Sequence, residues 1–118
     1  GCEFDEMIAN SASDNVIKAG LENYIEIINC PFQEFQLPPG LGLLICNPPY
    51  GKRLGDVNEL PKLYRELGHY CKNKASGWDL WLLNGNPKLS KYIGMKANQR
   101  FQVNNGSIDC RWLNYKIN

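Results

Sequence analysis

The 118-residue sequence lacks the features of several specialised protein classes. Its longest apolar run, residues 41–46 with Gly42 inside it, is far too short to cross a bilayer, and no signal-peptide pattern opens the chain. We therefore expect a cytoplasmic protein with no membrane partner. The single histidine, His69, cannot build a histidine-based metal site alone, and no low-complexity segment is present.

Neither the cysteines nor the net charge of the chain indicates a function. The five cysteines form an odd set without a C-x-x-C pair, so we interpret them as small buried thiols and not as disulfides or zinc ligands. With 13 basic and 12 acidic side chains the formal charge is +1, so there is no overall signature of nucleic-acid binding. Any affinity for RNA must be local or supplied elsewhere. The length predicts one compact domain.

Alternating helical and strand-like patterns are what the sequence does contain. A strand ends at Glu3, and a helix follows between an Asp5 N-cap and a stop at Gly20. A short run of β-formers covers residues 24–28. Residues 41–46 are almost continuously apolar, which predicts a central strand buried on both faces.

The second half continues the alternation. Apolar residues predict one stripe of a helix that starts after an Asn58 cap: Leu60, Leu63, Tyr64, Leu67 and Cys71. A strand over residues 78–83 and a short helix from Pro87 follow. Two further strands are joined by Asn105-Gly106, a strong hairpin signal. This order predicts an α/β fold whose mainly parallel sheet ends in an antiparallel hairpin.

Asn47, Pro48, Pro49 and Tyr50 directly follow the predicted buried strand. Ligands of α/β sheets bind beyond the carboxyl ends of the strands, so chemistry is expected at this loop. The two prolines fix their own φ angles and restrict the residues before them, which holds the Asn47 side chain and nearby carbonyls in place. The structural alternative is a plain tight loop, since Asn and Pro are common turn residues.

Such a loop suits the methylation of an exocyclic amine on a nucleobase. That nitrogen is a poor nucleophile because its lone pair is delocalised, and it offers two N–H donors. The side-chain oxygen of Asn47 and the carbonyl of Pro48 can accept them and stabilise the charge that develops on nitrogen. Pro49 and Tyr50 would border the base, with stacking on Tyr50 worth about 1–3 kcal/mol. No catalytic metal is required, because the methyl donor is already activated.

The sequence resembles the catalytic domain of the THUMP-associated 23S ribosomal RNA guanine-N2 methyltransferases, a family of the class I S-adenosylmethionine-dependent fold. The resemblance covers nearly every residue. Four stretches carry it: Gly1-x-Glu3-x-Asp5 followed by Ala12, Asn15 and Ala19-Gly20; Asn47-Pro48-Pro49-Tyr50-Gly51-x-Arg53-Leu54; Gly77-Trp78-x-Leu80; and Asn105-Gly106-x-Ile108-Asp109-Cys110 with Asn114-Tyr115. The last two stretches narrow the resemblance to the ribosomal RNA group.

The resemblance implies a class I methyltransferase (Rossmann-like) sheet, S-adenosyl-L-methionine as cofactor and large-subunit ribosomal RNA as substrate. It implies that Glu3 binds the cofactor ribose hydroxyls, where Asp is usual. Asn29 takes the place of an Asp that contacts the cofactor adenine amine, and Asn47 borders the cofactor as well as the base. Asp5 matches a second acidic position, which a helix cap explains at least as well.

In this family a first strand and a Gly-rich loop that cradles the cofactor's methionine end precede the stretch matching Gly1, as does the THUMP region. The chain contains no loop of that kind. Residues 1–118 therefore resemble the C-terminal part of a methyltransferase catalytic domain. The missing strand would lie between the strands that end at Glu3 and Asn47. We expect the chain alone to be inactive and to depend on a partner chain, a swapped segment or a rearrangement, with self-association through the incomplete sheet as one such route.

Other functions use the same residues. The loop could equally orient the N6 amine of adenine or a glutamine side-chain amide, because these are also conjugated amines. A non-catalytic RNA-binding fragment is the third possibility. Its phosphate contacts would be Lys52, Arg53, Lys88, Lys91 and Lys96, although solvated surface charge explains each of these lysines and the arginine as well.

Overall fold

The computed structural model describes residues 1–51 and 58–118, which divide into two compact units, residues 1–37 and 38–118. The first unit contains strand β1 (Cys2–Glu3), helix α1 (Glu6–Lys18), strand β2 (Ile28–Asn29) and a 3-10 turn (Phe32–Glu34). The second contains β3 (Leu43–Cys46), α2 (Leu60–Lys74), β4 (Asp79–Asn84), α3 (Pro87–Ser90), a 3-10 turn (Lys91–Ile93), β5 (Gln99–Asn105) and β6 (Ile108–Lys116). The predicted order of helices and strands is confirmed.

Helix α1 begins and ends as its sequence predicts. The carboxylate of Asp5 accepts a hydrogen bond from the backbone N–H of Ile8 at 3.0 Å, so Asp5 is the N-cap. After the helix Gly20 adopts φ +69°, which its missing Cβ permits. The N–H groups of Gly20 and Leu21 then donate to the last carbonyls of the helix, which satisfies groups that would otherwise lack partners.

The strand predicted over residues 24–28 is wrong in its extent. Tyr24 and Ile25 both donate backbone hydrogen bonds to the carbonyl of Leu21, so the chain is still turning there. Strand β2 contains only Ile28 and Asn29, which pair in parallel with β1. Propensity favoured a longer strand, but local turn hydrogen bonds use the backbone groups that a ladder needs.

A four-stranded mixed sheet organises the second unit, in the order β3-β4-β6-β5. Strand β3 is parallel to β4, whereas β6 is antiparallel to both β4 and β5. Helix α2 contributes the buried Tyr64 and Cys71 to a core that includes Leu80 and Leu82 of β4. The prediction of an α/β sheet with a C-terminal antiparallel hairpin is therefore confirmed for this unit.

Strand β3 differs from the central, doubly buried strand that its composition predicts. It lies at the edge of the described sheet, and Leu43 and Ile45 are 60% and 67% exposed. The alternate residues Leu44 and Cys46 are half-buried, and Cys46 lies close to Cys71 of α2. Within residues 1–51 and 58–118 the strand pairs only with β4, and Leu43 and Ile45 leave its second apolar face exposed.

The C-terminal hairpin forms as predicted, with a small change of register. Asn105 pairs with Ile108, so the two central turn residues are Gly106 and Ser107 and not Asn105 and Gly106. Gly106 has φ +63°, which suits glycine at the first central position of a tight hairpin turn. The hairpin brings Asn105 to the same end of the sheet as the loop that follows β3.

Two smaller expectations need correction. Helix α2 has Glu59 at its N-cap, without a side-chain cap bond, so Asn58 does not cap it. Of the five free cysteines only Cys71 and Cys110 are buried, and the other three are half-buried. In the part of the chain that the structure describes, no helix is both long and apolar enough to span a membrane.

Gly68 should be sensitive to any side chain, because α2 lies against the backbone of Ile93 at this point. A Cβ at Gly68 would overlap the Ile93 carbonyl group. Gly68→Ala should therefore lower the free energy of unfolding by about 1–3 kcal/mol, despite the roughly 1 kcal/mol that alanine gains in helix propensity. His69→Ala, at the adjacent exposed position, should be neutral or slightly stabilising in the same urea titration. Equal stability of the two variants would contradict this packing.

Alkaline pH should destabilise the second unit through the thiols of Cys46 and Cys71, which lie close to each other. Burial raises the pKa of Cys46 to about 12 and that of Cys71 to about 11, from the ordinary thiol value of 9.0. The unfolded chain loses these protons first, so the contribution of each thiol is complete below about pH 9. It is lost as the pH rises from 9 to about 11 for Cys71 and to about 12 for Cys46. In urea titrations at several pH values, the stability difference between wild type and Cys71→Ala should shrink over this window. A constant difference would contradict the assignment.

Candidate functional site

The candidate site lies where β3 and β4 end side by side. Cys46, the last residue of β3, pairs with Leu82 in the parallel ladder. The loop of Asn47, Pro48, Pro49 and Tyr50 therefore leaves the sheet next to the loop that leaves β4 after Asn84. Both loops stand at the carboxyl ends of neighbouring parallel strands, where ligands of α/β sheets bind.

Tyr50 is fixed against the β4 loop and the hairpin. A Cβ added at Gly85 would lie 2.5 Å from Cε2 of Tyr50, so the ring packs where Gly85 has no side chain. The Asn105 side-chain amide donates to the Tyr50 hydroxyl at 2.9 Å, and Cys110 Sγ lies 3.8 Å from the same oxygen. The ring therefore has a set plane, with one face occupied by the glycine backbone.

Pro49 is held from the helix side. The hydroxyl of Tyr64, which is fully buried, donates to the Pro49 carbonyl at 3.2 Å. Burial raises the pKa of Tyr64 above its usual range, with smaller contributions from Cys46, Tyr50 and Tyr115. The hydroxyl therefore keeps its proton and remains a donor at neutral pH.

Asn47 and Pro48 are left with unused acceptors. The structural contacts of the loop use the Pro49 carbonyl and the Tyr50 hydroxyl. Within residues 1–51 and 58–118, the structure shows no hydrogen bond to the Asn47 side chain or to the Pro48 carbonyl. Asn47 is exposed and Pro48 is half-buried. The loop thus presents two oxygen acceptors on an anchored backbone.

The β4 loop is stabilised by its own asparagines. Asn84 is 4% exposed, donates to the carbonyl of Asn86 at 2.8 Å and accepts from its N–H at 3.0 Å. The Asn86 side chain in turn accepts from the N–H of Lys88 and caps α3. These bonds fix the position of Gly85, on which the Tyr50 ring rests.

Glu3 and Asn29, the other predicted site residues, are brought together in the first unit. They are paired partners at the ends of β1 and β2. The Asn29 amide nitrogen donates to the carbonyls of Glu3 and Phe4, both at 2.9 Å, which leaves its oxygen to act as an acceptor. One Glu3 carboxylate oxygen accepts from the N–H of Asp5 at 2.9 Å, and Asp5 itself is occupied as the helix cap. A carboxylate and an amide oxygen thus lie side by side at the ends of two neighbouring parallel strands.

The sequence did not identify the residues that anchor Tyr50. Gly85 and Asn105 contact this ring from elements 35 and 55 positions away in sequence. In the sequence Asn105 indicates a turn and belongs to a stretch that carries the family resemblance, and Gly85 gives no signal. Neither residue carries a local sign of a long-range contact. Of the basic residues considered for phosphate contacts, Lys88, Lys91 and Lys96 are exposed. Lys52 and Arg53, with Leu54 of the loop motif, lie outside the described residues.

Comparison with known proteins gives a consistent result along the chain. Residues 1–114 match the family model UPF0020, described as an RMKL-like methyltransferase domain. The chain is 38% identical to the ribosomal RNA large subunit methyltransferase K/L of Syntrophotalea carbinolica, over 99% of this chain and 17% of that protein. It is 34% identical to the protein of the same name from Cellvibrio japonicus, over 100% of the chain and 16% of that relative. The chain thus spans about a sixth of these curated relatives.

Solved structures agree on the fold. SMU.472, described as a methyltransferase and crystallised with SAH, superposes with a TM-score of 0.91 at 28% identity, over 100% of this chain and 31% of that one. A protein from Listeria monocytogenes described as an N6-adenine-specific DNA methylase gives a TM-score of 0.81 at 26% identity, over 100% of this chain and 30% of that one. The chain therefore has the α/β fold of class I methyltransferases, as a Rossmann-like fragment.

The bond between Asn105 and Tyr50 can be measured by a double-mutant cycle. Tyr50→Phe and Asn105→Ala should each destabilise the chain, and their effects should be non-additive by about 0.5–1.5 kcal/mol because they remove the same hydrogen bond. The measurement is urea unfolding of wild type, both single variants and the double variant. Asn104→Ala, one residue away and also exposed, should add independently to Tyr50→Phe. Additivity of the Asn105 pair would exclude the bond.

Proposed function

The chain belongs to the RMKL-like methyltransferase domain family, and we propose that it supplies the amine-orienting part of an S-adenosylmethionine-dependent RNA methyltransferase. We propose guanine N2 in large-subunit ribosomal RNA as the target, and residues 1–118 as the C-terminal part of the catalytic domain. One observation carries the proposal. The loop after β3 is clamped through Pro49 and Tyr50, while the acceptors of Asn47 and Pro48 stay available.

Asn47 and Pro48 would act on the amine. The Asn47 side-chain oxygen accepts one N–H and the Pro48 carbonyl accepts the other, which turns the nitrogen lone pair out of conjugation toward the methyl donor. Both oxygens would then stabilise the positive charge on nitrogen while the methyl group passes from sulfur to nitrogen. The electron pair of the broken sulfur–methyl bond would stay with the departing sulfide, and the methylated nitrogen would release one of its protons to solvent. Since the clamped loop does not need to reorganise, this stabilisation comes at little entropic cost.

Tyr50 and Pro49 would hold the base. The Tyr50 ring has one face on Gly85, and its hydroxyl is tied to Asn105, so its other face can receive a base that has left its stack. Pro49 is exposed and adjoins that ring. A base stacked there has its amine edge directed along the loop toward Asn47.

Glu3, Asn29 and Asn47 would hold the cofactor, whose sulfonium supplies an activated methyl group. The residues present fit such a ligand in part. The second carboxylate oxygen of Glu3 can accept hydrogen bonds from ribose hydroxyls, and the Asn29 oxygen can accept one from an adenine amine. One ligand can use both, because the two residues are paired at the ends of β1 and β2. We propose that a Gly-rich loop for the methionine end must be added to these residues, and that the chain alone binds cofactor weakly and is inactive.

The choice of RNA and of guanine rests on the relatives. Two relatives with 38% and 34% identity carry the name ribosomal RNA large subunit methyltransferase, which supports ribosomal RNA as the substrate class. The Asn105-to-Tyr115 hairpin, which resembles that of the guanine-N2 group, supports guanine. The Listeria neighbour favours the competing candidate, the N6 amine of adenine. Its DNA substrate and lower identity of 26% make it the weaker guide.

A chimeric enzyme tests the proposal. Replacing the matched region of the Syntrophotalea relative with this chain provides the surrounding segments in one polypeptide. The chimera should transfer methyl groups from S-adenosylmethionine to unmodified 23S ribosomal RNA, and mass spectrometry of the nucleosides should find N2-methylguanosine. Asn47→Ala should lower kcat about 10²–10³-fold, and Asn47→Asp, which keeps an acceptor oxygen, should lose less.

The matched control is Asn73→Ala, which changes an exposed asparagine of α2 and should leave kcat unchanged. Finding N6-methyladenosine would replace guanine by adenine as the target. Full activity of the Asn47→Ala chimera would contradict the role of the loop. Full activity of the 118-residue chain alone would contradict the need for an added cofactor loop.

A further inference from the structure

A shallow depression opens beside α3, on the opposite side of the β4 and β6 strand ends from Tyr50. Its volume is about 160 Å³, and two arginines of the hairpin, Arg100 and Arg111, line it together with Ser90 and Asn84. Both arginine side chains are exposed. Neither was among the basic residues that sequence reasoning selected.

The two arginines are brought together by the strand register. Arg100 of β5 pairs with Leu113 of β6, and Gln102 pairs with Arg111, so the arginines are diagonal neighbours on one face of the hairpin. Diagonal neighbours in an antiparallel pair are about 7 Å apart. Both residues line the same depression, although like charges so close together reduce stability.

Neither arginine forms an ion pair with another residue of the part of the chain that the structure describes. Among residues 1–51 and 58–118 the structure shows one ion pair, Lys62–Glu66, which is elsewhere on α2. Asp109 also lines the depression, but its carboxylate accepts a hydrogen bond from Gln102 at 3.2 Å and does not lie within ion-pair distance of either arginine. The depression therefore keeps an excess of positive charge in a chain whose overall charge is only +1. Such an excess fits an anionic ligand.

The depression and Tyr50 share the same two strand ends. Asn84 pairs with Arg111 across β4 and β6 and lines the depression. Cys110, which precedes Arg111 in β6, contacts the Tyr50 hydroxyl, and Gly85, which follows Asn84, lies against its ring. Successive strand residues point to opposite faces. A single strand of RNA that crosses this end of the sheet would therefore place a base at Tyr50 and backbone phosphate at the arginines.

We propose that Arg100 and Arg111 bind a backbone phosphate of the RNA next to the target base. This inference rests on the proposed function, of which it names the substrate contact. Guanidinium groups suit the role because each can donate two parallel hydrogen bonds to the oxygens of a phosphodiester. The contact recognises phosphate and not sequence, so it positions the RNA strand while Asn47 and Tyr50 select the amine.

Salt-dependent binding tests the inference. Fluorescence anisotropy should follow the 118-residue chain binding a labelled single-stranded RNA between 50 and 300 mM salt. A plot of the logarithm of the association constant against the logarithm of the salt concentration has a negative slope. Arg100→Gln and Arg111→Gln should each make this slope shallower by about 0.7, and should lower the affinity at 50 mM salt by about tenfold. Arg111→Lys keeps the charge and should keep the slope. Lys116→Gln, an exposed basic residue of β6 outside the depression, is the matched control and should change neither quantity.

Each outcome supports or contradicts phosphate binding by the two arginines of the depression. Unchanged slopes in both glutamine variants, an equal loss in Lys116→Gln, or no RNA binding by the wild-type chain would overturn it. Equal competition by a poly-glutamate peptide of the same charge would also overturn it, because a carboxylate site would then explain the arginines. The methylating chimera separates the two proposals. If the chimera transfers methyl groups but the two glutamine variants bind RNA as the wild type does, only the phosphate site is refuted. If RNA binding depends on the arginines but the chimera transfers no methyl group, only the proposed function is refuted.

Discussion

Tyr50 packs its ring where Gly85 has no side chain, and the rest of the loop geometry depends on that contact. The ring can approach the end of β4 only because the Gly85 backbone is bare. Once the ring is there, its hydroxyl reaches Asn105 of the hairpin, and the Pro49 carbonyl reaches the buried Tyr64 of α2. The end of β4, the hairpin and α2 thus hold one loop. The oxygen acceptors that these contacts leave unused are those of the Asn47 side chain and the Pro48 carbonyl. The chemistry we propose follows from which polar atoms the fold leaves unused.

Local signals predicted much of the fold. The cap at Asp5, the stop at Gly20 and the presence of the hairpin depend on the conformations of a few consecutive residues, so sequence alone identifies them. Only the centre of the hairpin turn, at Gly106 and Ser107, lies one residue later than predicted. The position of the candidate loop was predictable for the same reason, because it directly follows an apolar strand. The resemblance to the ribosomal RNA methyltransferases was confirmed by the family match over residues 1–114.

Long-range contacts were not predictable. Nothing near Gly85 in the sequence shows that an aromatic ring rests on it, and nothing near Arg100 and Arg111 shows that strand register makes them neighbours. The predicted burial of residues 41–46 was wrong for a related reason. Apolar composition shows that a strand suits burial, but whether both faces are covered depends on elements elsewhere. Leu43 and Ile45 remain exposed on the edge strand of the described sheet.

The central claim is that the Asn47 and Pro48 oxygens receive the two hydrogens of an exocyclic amine. A crystal structure of the chimeric enzyme with SAH and a guanine-containing oligonucleotide tests it most directly. Our account predicts the guanine N2 atom within hydrogen-bond distance, about 2.7–3.2 Å, of both Asn47 Oδ1 and the Pro48 carbonyl oxygen, with the base stacked on the free face of Tyr50. A base whose amine contacts neither oxygen, or a Tyr50 ring that has left Gly85, would contradict the account.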